Sequence, residues 1–120
     1  MLIVKVWCLP SDQPEDNLRR LHLTIVDEVF KMRVLEVNGE DDMVVLFPTD
    51  LMKYGLGKEI VVEVSGLLEK PEITDGVCNE LAFNLGARVC HFYQNSRVVC
   101  FVQTQNPNRG YAPFCRATDE

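Results

Sequence analysis

The sequence predicts an α/β protein of the α+β kind: two β-α-β units forming a four-stranded mixed sheet with two helices on one face. Two observations carry this. Runs of β-branched and apolar residues alternate with amphipathic stripes in the order strand, helix, strand, twice over. The halves also resemble each other, LIVKVW at 2–7 matching IVVEVS at 60–65 and VVLF at 44–47 matching VVCF at 98–101. Repeated halves of about 55 residues imply a pseudo-twofold fold. Each unit is expected to be a right-handed crossover with parallel strands. One domain is expected over 1–120, with halves at 2–58 and 59–103 and a C-terminal arm at 104–120.

Each element has its own signal. Leu2 to Trp7 reads as a strand ended by Pro10. Asp12 and Glu15 have the spacing of a capping box, with Asp12 as the expected N-cap and Pro14 in the first turn. Leu18, Leu21, Ile25, Val29 and Met32 then form one apolar stripe. Asn38-Gly39 is a turn signal, and Met43 to Phe47 is a second strand stopped by Pro48. In the second half, Glu59 to Ser65 is a strand and Thr74 is the expected N-cap of a helix. Its stripe is Val77, Leu81, Leu85, Val89 and Phe92, interrupted by Gly86, which predicts close helix-on-sheet packing. Arg97 to Gln103 is the fourth strand.

Composition narrows the function classes. The 120 residues carry a net charge of -6, which argues against nucleic acid and against an anionic membrane surface. No apolar run reaches the roughly 18 residues of a membrane helix. The start MLIVK has no basic region and no cleavage site of a secretory signal. The five cysteines (Cys8, Cys78, Cys90, Cys100 and Cys115) are odd in number and form no C-x-x-C pair, so neither a metal site nor a disulfide framework is predicted. Such usage suits a reducing, cytoplasmic location. His22 and His91 stand alone, and no metal or organic cofactor is expected. Two helices cover one face of a four-stranded sheet, yet these strands are apolar almost throughout, as strands buried on both faces are. A second copy of the chain is the expected cover.

PTDLMKYGLG at 48–57 and RVVCFVQTQNPNRGYAPF at 97–114 resemble the loop after the second strand and the last strand and arm of the tautomerase superfamily, in its macrophage migration inhibitory factor branch. The resemblance implies a tautomerase-like homotrimer. It also implies a small anionic or aromatic ligand held in a pocket near the N-terminus. In that family an N-terminal proline is the general base, and cationic groups hold the substrate carboxylate. Here Leu2 stands at the proline position, its bulk predicts that Met1 is retained, and the N-terminal group is a primary amine. The family's pocket lysine falls on Val37, its third-strand position on Ser65, and its last-strand tyrosine and asparagine on Val99 and Phe101. Arg109 and Tyr111 are the arm's cationic and aromatic candidates, and Cys8 is expected near the mouth of the pocket. Lys5 is expected to pair with its repeat counterpart Glu63.

Three functions follow from these readings. The first is a tautomerase-like binding or assembly module without proline-dependent catalysis. The second is an isomerase on a keto or enol acid that uses another base, such as the Met1 amine. The third is a regulatory module of ferredoxin-like fold, which has the same element order.

Overall fold

A computed structural model describes residues 1–10, 12–48 and 59–114. Strand β1 (Leu2–Trp7) leads to helix α1 (Glu15–Lys31), two short 3-10 turns and strand β2 (Met43–Leu46). Strand β3 (Glu59–Leu68), helix α2 (Asp75–Phe92) and strand β4 (Arg97–Gln105) follow. The sheet order is β2-β1-β3-β4. β1 is parallel to β2, β3 is parallel to β4, and the two units meet along an antiparallel β1–β3 seam. A ferredoxin-like domain splits each β-α-β unit by a strand of the other; here each unit keeps its strands adjacent, so that alternative is overturned.

Alternation places the core. Leu2, Val4 and Val6 of β1 and Ile60, Val62 and Val64 of β3 are buried against Leu21, Ile25 and Val29 of α1 and Leu81, Leu85 and Val89 of α2. These helix positions are the predicted stripes, and both helices lie on this one face of the sheet. A Cβ on Gly86 would meet the Cys100 side chain at 3.5 Å, so α2 does approach β4 closely there.

The two helix starts differ. Thr74 caps α2, its hydroxyl accepting the Val77 N–H at 3.2 Å. The N-cap of α1 is Pro14, not Asp12, and it has no side-chain cap. The proline ring holds φ at -64°, and the Pro14 carbonyl accepts the N–H groups of Asn17 and Leu18, so the chain turns two residues later than the capping box suggested.

Three strand ends also move. β2 stops at Leu46, one residue early. β3 continues past Ser65 to Leu68 through a register shift between Val64 and Leu67, where Gly66 has φ +82°. A bulge absorbs the extra residues and pairing resumes beyond it. β4 follows β3 and extends to Gln105, two residues into the expected arm.

The second repeat match slips by one residue. Leu2 pairs with Met43 and Ile60 pairs with Val98. Since Leu2 corresponds to Ile60, Met43 corresponds to Val98 and Leu46 to Phe101. A shift of one residue exchanges the faces of a strand, so the sequence match of Leu46 with Cys100 equates an outward residue with an inward one. The β1–β3 match is correct. Lys5 lies opposite Glu63, so the dyad relating the halves runs between them.

Candidate functional site

Among the described residues nothing covers the sheet face away from the helices. Across its middle run Leu46, Lys5, Glu63 and Phe101, one from each strand in register. Leu46 and Phe101 are exposed, Phe101 by 54%. Lys5 and Glu63 are partners in the strand register, but each also engages Trp7. The Glu63 carboxylate accepts the indole N–H at 3.1 Å, and the Lys5 ammonium sits 6.0 Å from the ring centre, within cation–π range. Trp7, Val61 and Phe101 line a shallow depression here that also reaches Cys8.

The second feature is a cavity of about 480 Å³ at the N-terminus. Met1, Leu2 and Val37 of the expected site line it, with Leu35, Leu67 and Ile73 extending the apolar wall. Gly66 holds it together. A Cβ at that position would overlap the Met1 carbonyl oxygen, so only a glycine lets the β3 bulge and the N-terminal backbone lie this close. The polar part of the wall is acidic: Glu36, Asp41 and Asp42. Lys70 joins them, but its ammonium is 3.1 Å from the Glu36 carboxylate. Asp42 accepts the Asn38 N–H at 2.9 Å, and Glu36 itself has φ +57°.

The other expected site residues lie apart from this cavity within one chain. Ser65 is next to Gly66 but faces the open side of the sheet opposite Ile3. Val99 is in the Trp7–Val61 row near the far end of β1, and Phe101 is in the central row. Arg109 and Tyr111 follow β4, which leaves the sheet at the N-terminal end, because Thr104 pairs with Leu67 beside Gly66. The Arg109 N–H donates to the Asn106 carbonyl, and the Gln105 side chain donates to the Arg109 carbonyl. Cys8 is not near the cavity. It follows the last residue of β1, roughly 20 Å of extended chain from Met1. The loop resemblance at 48–57 falls almost wholly outside the described residues, as does Cys115.

Two thiols bear on reactivity. Burial pushes the Cys100 thiol up to about 11, so it is protonated and inert near neutrality. Cys90 is an exposed free thiol on α2. Among the described residues no group of three histidine, cysteine or carboxylate side chains could hold a metal ion.

Gly66 and the carboxylates of the cavity were not singled out from the sequence. Gly66 carried a signal, a glycine directly after an alternating apolar run, which marks a bulge or a close backbone approach. The carboxylates lie close together in the sequence, at 36, 41 and 42, but nothing local shows that they face Met1 or that Lys70, 34 residues on, pairs with Glu36.

No protein-family model matches the sequence, and no curated protein matches it. Solved structures do. A domain of unknown function from Sebaldella termitidis superimposes with a TM-score of 0.65 at 10% identity, covering 93% of this chain and 95% of that one. A fused 4-OT asymmetric trimer matches with a TM-score of 0.63 at 15% identity, covering 85% and 86%. Macrophage migration inhibitory factor from Toxoplasma gondii matches with a TM-score of 0.54 at 14% identity, covering 92% and 95%. With its four-stranded mixed sheet and two helices on one face, this chain shares the fold of these structures, which is the tautomerase-like fold.

Proposed function

We propose that this chain is a self-assembling, small-molecule-binding module on the tautomerase fold, without proline-dependent keto–enol catalysis. The composition of the N-terminal cavity carries this reading. Met1 and Leu2 stand where a catalytic proline would be, and the polar wall holds three carboxylates with one lysine already paired. A keto or enol acid brings a carboxylate of its own, which like charges nearby disfavour. The apolar wall instead suits an aromatic or aliphatic body. That favours the aromatic over the anionic form of the expected ligand.

Self-assembly rests on the open sheet face. Three copies arranged so that these faces line a common centre would cover Phe101, Leu46 and Trp7. They would also bring Val99, Phe101 and the arm residues Arg109 and Tyr111 of one copy toward the cavity of the next. The fused 4-OT structure is itself described as a trimer. Cys78, Cys90 and Cys100 are not in disulfides, which supports a reducing, cytoplasmic location. No described helix is long and apolar enough to cross a membrane.

A second reading has one observation in its favour. Met1 lines the cavity, so its amine is placed to act as a base on an isomerisable acid. Ketonisation of phenylenolpyruvate separates the two. The binding-module reading expects the uncatalysed rate. Catalysis well above background would overturn it, and acetylation of the Met1 amine would then identify the base. Replacing Leu2→Pro with removal of Met1 reports on the cavity itself: rescued activity would mean that only the base is missing.

A further inference from the structure

We infer that the groove between α1 and α2, on the side of the helix layer away from the sheet, is an oxyanion-binding site that accepts a small phosphate- or carboxylate-bearing molecule with an apolar body. The groove encloses about 620 Å³. Arg20 from α1 and Arg88 from α2 supply its cations, His91 of α2 adds an imidazole, and among the described residues no carboxylate lines it. The chain as a whole has 18 acidic side chains against 12 basic ones. Two guanidinium groups lining one groove therefore run against the overall charge.

Helical spacing produces the convergence. Asn17, Arg20 and Thr24 fall on one face of α1 at steps of three and four, as Arg88 and His91 do on α2 at a step of three. The cations are also held in position. One Arg20 Nη donates to the Asn17 side-chain oxygen at 2.9 Å. The Asn17 amide donates to Gln13, and the Gln13 oxygen also accepts the Tyr93 hydroxyl at 2.7 Å, so α1 and α2 are tied together at this end of the groove. The Arg20 guanidinium lies 6.0 Å from the Phe92 ring centre. Glu28, itself buried, contacts the Nε of Arg88 at 3.5 Å, and Arg88 also lines the groove. Planar guanidinium forks held on one edge bind oxyanions well with the other, because little side-chain freedom remains to be lost. Phe92 and the exposed Leu23 supply the surface for an apolar body.

The test is calorimetric titration of the full chain with phenyl phosphate, benzoate and inorganic phosphate at low ionic strength. One phenyl phosphate or benzoate per chain is expected, bound more tightly than inorganic phosphate, with the His91 ring resonances shifting in NMR spectra. A preference for phenyl phosphate assigns a phosphoryl ligand, and a preference for benzoate assigns a carboxylate. Arg20→Ala and Arg88→Ala should each weaken binding roughly tenfold, as loss of a charge-assisted hydrogen bond does. Both side chains are exposed, and circular dichroism should show both variants folded. No saturable binding at millimolar probe, or equal affinity in wild type and both variants, would overturn the inference. The same holds if only Leu2→Ala, in the N-terminal cavity, alters binding.

Discussion

Replacing Gly66→Ala tests the architecture of the N-terminal cavity at its tightest point. Two costs combine. The residue has φ +82°, a conformation that an L side chain enters at about 1–2 kcal/mol. Its Cβ would also overlap the Met1 carbonyl oxygen, which is backbone and cannot rotate away. Either the bulge or the N-terminus must shift, and forced repacking of this kind costs about 1–3 kcal/mol. The sum is about 3 kcal/mol, which for a chain of this length corresponds to a drop in melting temperature of roughly 10 °C. Thermal unfolding followed by circular dichroism measures it, at matched protein concentration because the proposed assembly would make the midpoint concentration-dependent. Gly39→Ala is the internal control, since a Cβ there meets nothing within 4 Å and the residue lacks a positive φ; its midpoint should stay within about 2 °C of wild type. A Gly66→Ala midpoint as close to wild type as that control would refute the close approach of the bulge to Met1.

Two further outcomes are expected. Phe101→Asp places a charge at the centre of the open sheet face, and loss of an aromatic anchor there should weaken self-association by at least about thirtyfold, a cost of 2 kcal/mol or more. Sedimentation at micromolar concentration should give a trimer for wild type and a folded monomer for the variant, and a wild-type monomer would remove the assembly reading. Iodoacetamide at pH 8 should modify exposed Cys90 well before Cys100, because a thiol raised to about 11 is ionised at that pH in only about one molecule in a thousand; equal rates by mass spectrometry would contradict the burial of Cys100.

The fold was largely legible because its signals are local. The stripe through Leu21, Ile25 and Val29 needs only helical period, and the β1–β3 match needs only two similar strings. What failed was decided by backbone detail. Pro14 carries out the turn at which the sequence pattern places Asp12 as cap. The β3 bulge lets pairing run through Gly66 to Leu68, where the sequence suggested a stop at Ser65. The one-residue slip at Leu46 could not be seen from two short apolar strings, because string identity favours the wrong alignment, which also matches Phe47 to Phe101. The candidate site was less legible still. Met1, Leu2 and Val37 line one cavity, and its acidic wall comes from the connection between α1 and β2, whose approach to the N-terminus is a tertiary contact. Val99 and Phe101 are apart from that cavity, because the register of β4 puts both on the open side of the sheet.

The dyad through Lys5 and Glu63 bears on how copies of this chain can pack. A sheet that looks the same after a half-turn gives a neighbour no indication of which end is up, and two orientations would compete for every contact. Here the half-turn exchanges a cation for an anion at the centre of the face and an indole for a hydroxymethyl group between Trp7 and Ser65. The repeat keeps its backbone symmetry while its chemistry is polar from one half to the other. A closed ring requires contacts that join unlike patches head to tail, and a face with distinguishable ends admits one direction around the ring.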